Sequence, residues 1–574
     1  MTASFKIRLL QLLRAHRHSL VFLLLTFGVY FTYLFAHILE YRADGLWAGH
    51  VHVWGDWSLH IAMANIFAYK APQEWFAYHP YYAYGKFTYG FITNMISGLL
   101  IRGGLSLPNA FIFPSIIFSI ILVYGLYVVY FNVLKTQKAA VTAVFLFFCS
   151  SGLGFLRFIP DLLLQPTLEH LFWPTRDYSR LEVPYQWLAG NWVTGMLMPQ
   201  RAYLLGMAIT VWVMACIIWI FNKKKNSAVS LLPIHKALLV SAGVAAGFLP
   251  ITHMHSFIVL IILCCVLGLV TLKQWKIWLW FAVPAGIIST LFYLRFVKGG
   301  IENPNFMSIL IGWTAPKGEN EFTHFLNWLK MWWEIWGLSL PVSVIGVWIA
   351  WKKLDLLKFS FLISGFVVFL LANIVLFQPI QWDNSKLFMW AYFFFAALMT
   401  LVLQHLWRVK HGRVAIKGFA IFLAVLLTAT GFIELARLLR FDKQSYLMAS
   451  TEDMELGQII RQYTNSQSVF MIAPTHNHPA MEWGVRPILL GYPGWAYNFG
   501  FMYQQREADI HTMYKGGPVA EELLKKYKVS YVSFGPAELY DLHGDETYYQ
   551  QRFPLYIKGK EHRIYDVRAL TGGP

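Results

Sequence analysis

Long apolar segments alternate with short polar stretches along most of the chain. We interpret about 11 of them as membrane-spanning helices, since a span needs a long run of predominantly apolar residues. The predicted spans are 20–39, 109–131, 139–156, 202–221, 237–251, 256–272, 277–293, 333–350, 359–377, 387–407 and 418–439. Residues 90–101 are too short to cross and are predicted to form an interfacial or re-entrant helix.

The pattern changes at about residue 441, where polar and apolar residues become mixed. Residues 452–463 and 519–527 are helix-like, and residues 468–473 and 529–534 are strand-like. We therefore predict a transmembrane domain over residues 1–440 and a small α/β domain over residues 441–574.

The composition agrees with a membrane protein, because 57% of the residues are hydrophobic and only 13% are charged. Aromatic residues make up 17% and include 24 Trp. Aromatic rings favour membrane interfaces, and they also form sugar-binding surfaces. The net charge of +17 comes mainly from short Lys and Arg clusters beside the apolar segments, which indicates topology and argues against nucleic acid as a partner.

The basic clusters predict the orientation of the chain. Lys6, Arg8, Arg14 and Arg17 precede the first span, so the positive-inside rule places the N-terminus in the cytoplasm. Residues 41–108 then form a long first external loop. An odd number of spans places the C-terminal domain outside, and we predict a multi-pass protein of the plasma (inner) membrane.

With this orientation, five polar segments fall on the extracytoplasmic side. They are GDWSLH (55–60), FWPTRDYSR (172–180), MPQR (198–201), THMHS (252–256) and QWDNSK (381–386). Polar and ionisable groups near membrane depth are costly and are usually functional. We therefore expect them to contribute to one site on the outer face.

Asp56 and His60 are four residues apart, so on a helix they point to similar sides. Asp56 could accept a proton from a hydroxyl group or bind a divalent ion, and His60 could assist it. The alternative is that Asp56 caps the helix and that His60 lies at the membrane interface.

Arg201 and Lys386 begin spans at their outer ends, a position that suits the binding of a phosphate at headgroup depth. Alternatively, both are interfacial anchors and Asp383 is the local ion partner of Lys386. His253 and His255 could form a metal site with Asp56, although alternate residues in a turn often face opposite ways. Candidate substrate-binding residues are Trp57, Trp382, Asp383, His253 and His255. The segments 475–479 and 491–500 of the C-terminal domain could line a cleft.

No P-loop, dinucleotide-binding fingerprint or serine-hydrolase elbow is present in the sequence. The architecture, together with GDWSLH, MPQR and QWDNSK, resembles the GT-C superfamily of membrane glycosyltransferases, near the ArnT, protein O-mannosyltransferase and YfhO-like groups. The resemblance implies transfer of a sugar from a polyprenyl-phosphate donor to an acceptor hydroxyl of an unknown glycan, lipid or protein.

The resemblance also assigns roles to individual residues. Asp56 matches the acidic residue of the first external loop, a general base or a metal ligand in the family, so a divalent cation such as Mg or Mn is a candidate cofactor. Arg201 and Lys386 match by position the basic residues that hold the donor phosphate. The paired Asp-Glu of the mannosyltransferases and a DxD motif are absent at this place.

Other classes of function remain as alternatives. They are a transporter or flippase of lipid-linked sugars, a polymerase or ligase of surface polysaccharide, and a non-catalytic assembly factor. Transporters place their key groups near the midplane and often have repeated halves. In this sequence the polar segments lie toward one face and no repeat is visible, which favours the glycosyltransferase.

Overall fold

The computed structural model describes residues 14–88, 90–174, 176–180, 190–224, 232–409 and 412–574. In this part of the chain, eight helices are long and apolar enough to cross a membrane. They are Arg14–Ala36, Leu107–Leu134, Arg201–Asn222, Pro233–Thr252, Leu272–Val297, Leu356–Ile374, Gln381–Arg408 and Arg413–Arg437. Each coincides with a predicted span, so the protein is a polytopic α-helical membrane protein. Lys6 and Arg8, used above for the orientation, lie outside the described residues.

The other three predicted spans differ from long straight helices. The segment 333–350 belongs to two helices, Glu321–Trp336 and Ser339–Lys353, which are bent by 88°. Gly337 lies at the break with a φ of 49°, a conformation that favours glycine. The segments 139–156 and 256–272 contain the shorter helices Gln137–Phe148 and Met254–Val270. Eight long helices, one bent pair and two shorter helices thus replace the predicted set of about 11 uniform spans.

The predicted first external loop contains a strand hairpin, Leu39–Arg42 and Gly45–Ala48, followed by the helix Trp54–Tyr69, here called the Asp56 helix. The predicted short helix at 90–101 is present as Ile92–Arg102. It packs closely on the Asp56 helix, because a Cβ at Gly98 would collide with the carbonyl oxygen of Ala64. Close backbone approach therefore fixes the position of the Asp56 helix.

The C-terminal region is an α/β structure, as predicted. Its four-stranded sheet has the order Phe470–Met471, Tyr531–Phe534, Arg563–Asp566, Leu555–Lys558, with the first pair parallel and the others antiparallel. Its longer helices are Thr451–Tyr463, Gln504–Tyr514, Pro518–Lys526 and Glu546–Arg552. Four of these elements coincide with the predicted helix-like and strand-like segments: Thr451–Tyr463, Phe470–Met471, Pro518–Lys526 and Tyr531–Phe534. The other two helices and two strands were not predicted.

The C-terminal region is joined to the first external loop. The strand Tyr446–Ser450 pairs antiparallel with Gly45–Ala48 of the loop hairpin. Apolar residues of the loop, including Leu59 and Met63, share one buried core with Ile460 and Phe470. Because burial of apolar surface is the main stabilising force, the C-terminal region and the Asp56 helix support each other.

A buried chain of hydrogen bonds also connects them. Asn477 Nδ2 donates to the carbonyl oxygen of Met448 (3.0 Å), so Asn477 Oδ1 accepts from Ser58 Oγ (2.5 Å). Ser58 Oγ also hydrogen-bonds to the Glu482 carboxyl group. A serine hydroxyl has only one proton, so Glu482 must donate the second hydrogen bond and is neutral. Burial raises the pKa of Glu482 to about 8, in agreement with a protonated carboxyl group.

We expect this contact to make the stability of the protein fall with rising pH. The pKa of Glu482 in the fold is above its value in an unfolded chain, about 4.3. The bound proton therefore stabilises the fold fully below the unfolded-chain pKa of about 4.3. This stabilisation is lost as the pH rises to about 8, the pKa of Glu482 in the fold. Glu482→Gln stays neutral and can still donate to Ser58. The thermal unfolding midpoint of this variant should therefore change less than that of the wild type between about pH 5 and pH 9.

The measurement is thermal unfolding of the purified full-length protein at each pH. Glu455→Gln is the matched control, because Glu455 is an exposed residue of the same region. The control should follow the wild type. If the unfolding midpoint changes equally with pH in the wild type and in Glu482→Gln, the prediction is contradicted.

Candidate active site

A cavity of about 350 Å³ lies between the membrane helices and the C-terminal region. Its size is within the range of small-molecule sites, about 300–1,000 Å³. Its walls come from segments far apart in sequence, and its polar lining residues include Asp56, Gln200, His253, His255, Asp383, Lys386, His476 and Asn498. Three of the five polar segments predicted to meet, those around Asp56, His255 and Lys386, thus contribute charged or ionisable side chains to one cavity.

Asp56 lies in the first turn of the Asp56 helix. The N-cap residue is Val53 and no side chain caps the helix, so Asp56 has no capping role. Its carboxylate has no hydrogen bond or ion pair within the described part of the chain. Burial, followed by the negative charge of Asp383, raises the pKa of Asp56 to about 6, against the effect of Lys386. A carboxylate that ionises near neutral pH suits a general base.

Lys386 and Asp383 form an ion pair in the cavity wall. Lys386 Nζ donates to Asp383 Oδ1 at 2.6 Å, which agrees with Asp383 as its local ion partner. Asn498 of the C-terminal region donates its amide to the other carboxylate oxygen of Asp383. An ammonium group has three N–H donors, so Lys386 can serve Asp383 and still bind an anion. Trp382 lines the cavity beside them.

His253 and His255 both line the cavity, with ring centroids 5.5 Å apart. His253 is the N-cap of the helix Met254–Val270, and its Nδ1 accepts from the Ser256 amide at 3.3 Å. The Nε2 atoms of both histidines are buried and have no hydrogen-bond partner among the described residues. A buried nitrogen without a partner costs free energy, so a ligand with hydrogen-bonding groups would stabilise this wall.

A metal site does not follow from these histidines. Among the described residues, no three or more His, Cys, Asp or Glu side chains are grouped in a way that could hold a metal ion. Zinc sites generally need at least three protein ligands, whereas Mg²⁺ is usually bound by one or two carboxylates together with water and phosphate oxygens. Asp56, His253 and His255 therefore line one cavity without forming a zinc-binding set.

Three residues singled out from the sequence lie behind the cavity. Trp57 is fully buried and donates its indole N–H to the carbonyl oxygen of Pro199 (2.8 Å). His60 is buried with its Nδ1 3.2 Å from the Asn94 amide. Burial, followed by the positive charge of Arg201, lowers the pKa of His60 to about 3, which leaves the imidazole neutral at pH 7.

Arg201 is also fully buried. It donates to Ser97 Oγ (2.6 Å) and Ser115 Oγ (3.2 Å), and its guanidinium lies over the Phe111 ring. Its neighbours Gln200 and Ala202 line the cavity instead. The segment MPQR thus reaches the site through Gln200, which the sequence did not distinguish from the rest of the segment.

The polar segment 172–180 belongs to a different cluster. Asp177 accepts from Arg437 (3.5 Å), and Arg437 is paired with Glu434 at 2.9 Å. Glu434 was not noticed in the sequence, although it is the one acidic residue within the predicted span 418–439. Neither Asp177 nor Glu434 lines the cavity.

The C-terminal region closes the cavity with two segments whose role as cleft-lining residues was predicted. His476 belongs to the first, and Tyr492, Trp495 and Asn498 belong to the second. In the second segment, the signal in the sequence was a run of Gly and aromatic residues. Asn498 itself carried no signal, because its contact with Asp383 depends on how the two regions dock.

No family model matches the sequence, and no curated protein matches it. Solved structures do resemble it. The Archaeoglobus fulgidus oligosaccharyltransferase tethered with an acceptor peptide has a TM-score of 0.53 and 12% identity, over 94% of this chain and 72% of its own. The same oligosaccharyltransferase, named AglB, in complex with an inhibitory peptide and a dolichol-phosphate has a TM-score of 0.53 and 12% identity. This match covers 91% of the present chain and 69% of the AglB chain.

ArnT from Cupriavidus metallidurans, bound to undecaprenyl phosphate, covers 100% of both chains at 10% identity with a TM-score of 0.47. At these identities the comparisons concern the fold alone. The arrangement of helices and C-terminal region described above resembles that of the archaeal oligosaccharyltransferase over nine-tenths of the chain. The protein therefore shares its fold with this archaeal oligosaccharyltransferase.

Proposed function

We propose that this protein is a membrane glycosyltransferase that transfers a sugar from a polyprenyl-phosphate donor to an acceptor hydroxyl on the extracytoplasmic face. One observation carries the proposal: the carboxylate of Asp56, which has no partner in the described chain, lines the same cavity as the Lys386 ammonium group. A base and a cation in one cavity are what displacement of a phosphate by a hydroxyl requires. The predicted orientation places this cavity outside the cytoplasm.

The lining of the cavity supports a lipid-linked donor. One part is apolar and includes Met254, Ile258 and Val297, which belong to membrane helices or lie at their ends. An isoprenoid chain fits such a surface, and a phosphate would lie beside Lys386 and the unpaired His255 Nε2. The related oligosaccharyltransferase binds dolichol-phosphate, which is a ligand of this class.

In the proposed reaction, Asp56 accepts the proton of the acceptor hydroxyl while the oxygen attacks the anomeric carbon. The bond between that carbon and the phosphate oxygen breaks, and the phosphate leaves with the electron pair. Lys386 stabilises the negative charge that develops on the phosphate oxygens. Direct displacement inverts the anomeric centre. Arg201 lies behind the wall, so in this proposal it contributes only a long-range positive charge.

The metal requirement is part of the proposal. A structure of the archaeal relative contains zinc and sulfate. The described residues contain no group of three or more His, Cys, Asp or Glu that could hold a metal ion, which does not bear on Mg²⁺ bound by one or two carboxylates and a donor phosphate. We propose that proton transfer depends on Asp56 without a resident metal, because a carboxylate with a pKa of about 6 is itself a suitable base.

The test uses purified full-length protein in lipid nanodiscs and a panel of radiolabelled polyprenyl-phosphate sugars, with and without EDTA. We expect release of the labelled sugar from at least one donor, to an acceptor or slowly to water, and we expect this turnover to survive EDTA. Absence of turnover with every donor would overturn the glycosyltransferase proposal. Turnover that EDTA abolishes would refute only the metal-independent mechanism.

A further inference from the structure

Three aromatic side chains of the C-terminal region form one wall of the cavity. His476, Tyr492 and Trp495, here called the aromatic wall, all line it. His476 stacks on Tyr492 with ring centroids 3.7 Å apart and an interplanar angle of 23°. Trp495 meets both rings edge-on, at 5.3 Å from His476 and 5.7 Å from Tyr492. Such mutual packing keeps the rings in fixed positions.

The aromatic wall lies next to the carboxylate that the proposed reaction uses. Gly55 precedes Asp56, and a Cβ at Gly55 would lie 3.8 Å from the His476 ring. At another part of the same cavity, Asn498 holds Asp383. The wall therefore lies next to the first turn of the Asp56 helix.

The rings differ in their access to the cavity. Trp495 is 7% exposed and serves mainly as support, whereas Tyr492 is 37% exposed. A Cβ at Gly494 would collide with Cε1 and Cζ, at the hydroxyl-bearing end of the Tyr492 ring. A glycine at this position therefore leaves room for that end of the ring in the cavity wall.

An aromatic surface next to a carboxylate matches one chemical class of ligand. A pyranose ring has an apolar face of C–H groups that packs on aromatic rings, and its hydroxyl groups donate hydrogen bonds at the edge. An acyl chain would leave the Asp56 carboxylate desolvated and without a hydrogen bond, and Asp56 would repel a phosphate placed on this wall. The wall therefore favours an uncharged sugar over the lipid or the phosphate.

We propose that the aromatic wall is the binding subsite for a pyranose ring, stacked on Tyr492 beside Asp56. This inference rests on the proposed function and deepens it, since the C-terminal region then supplies the sugar specificity of the reaction. The ring belongs to the donor or to the acceptor, and the two sources are distinguished below.

The experiment measures binding of methyl α-D-mannopyranoside, methyl α-D-glucopyranoside and methyl α-D-galactopyranoside to the purified full-length protein by saturation-transfer NMR. We expect at least one glycoside to bind through its C–H protons. Tyr492→Ala should weaken that binding at least about tenfold, because the stacking surface is lost. Tyr492→Phe keeps the ring and should retain binding, and Gly494→Ala should weaken it by displacing Tyr492.

Tyr540→Ala is the matched control, since Tyr540 is 74% exposed and lies outside the cavity lining. It should bind as the wild type does. No binding of any glycoside to the wild type, or equal binding to Tyr492→Ala, would overturn the subsite.

Competition identifies the source of the ring. Displacement of the glycoside by a sugar-loaded polyprenyl phosphate but not by sugarless polyprenyl phosphate assigns the subsite to the donor, whereas simultaneous binding of the loaded donor assigns it to the acceptor. Tyr492-dependent glycoside binding without any sugar transfer would support the subsite and refute the glycosyltransferase. Sugar transfer by Tyr492→Ala with wild-type kcat/KM for donor and acceptor would support the glycosyltransferase and refute the subsite.

Discussion

Asp56→Asn is expected to lower sugar transfer by about 10²- to 10⁴-fold, the usual contribution of a general base. Asparagine has nearly the same shape as aspartate but accepts no proton at neutral pH. The cavity should therefore keep its form, and the loss should appear in kcat with little change in the KM for the donor. The measurement is initial-rate kinetics with the radiolabelled donor that the wild type uses best.

The pH dependence provides a second measure of the same role. The base must be ionised, and the pKa of Asp56 is about 6, so the wild-type rate should fall as the pH drops below 6. The residual rate of Asp56→Asn should lack this fall. Asp44→Asn is the control, because Asp44 is an exposed carboxylate of the same loop and should keep full activity. Wild-type activity of Asp56→Asn would remove Asp56 from the mechanism.

Lys386→Met is expected to lower kcat/KM by about 10²- to 10³-fold, the range found when one stabilising donor is removed from a developing oxyanion. The substitution keeps the length of the side chain and removes the cation beside the proposed phosphate. It also leaves Asp383 without its ion partner, and an unpaired buried carboxylate destabilises a protein. Both kcat/KM and the thermal unfolding midpoint must therefore be measured.

A double variant separates the two effects. Asp383→Asn combined with Lys386→Met has no buried unpaired charge, so it should recover most of the lost thermal stability. If Lys386 binds the donor phosphate, the double variant remains inactive, and Asp383→Asn alone keeps measurable activity. Recovery of activity in the double variant would show that Lys386 serves only to neutralise Asp383.

Much of the fold was predictable because the relevant signals are local. A membrane span is recognised from one continuous apolar segment, and a strand or helix of the C-terminal region from its own periodicity. Even the non-spanning helix Ile92–Arg102 followed from its length alone. The break at Gly337 was missed, because a glycine within an apolar segment does not by itself indicate an 88° bend.

The candidate site was predictable only in part. The Asp56, His255 and Lys386 segments were expected to lie together because each stands at a helix end on the same predicted side, and all three line one cavity. It did not distinguish a side chain facing the cavity from one facing the protein. The spacing of Asp56 and His60 specifies their angle around the helix, but the Asp56 helix is covered by other elements on most sides, so His60 meets Asn94 instead of the cavity.

The sequence by itself therefore determined the class of protein, the positions of most helices, the polar segments at one end of them and the composition of the C-terminal region. The tertiary structure alone decided that Arg201 lies behind the cavity, that Asn498 reaches Asp383, and that His476, stacked on Tyr492, lies next to Gly55. The physical reason is that hydrophobic periodicity acts over a few residues, whereas a site is defined by contacts between segments hundreds of residues apart, whose docking depends on the packing of the whole chain.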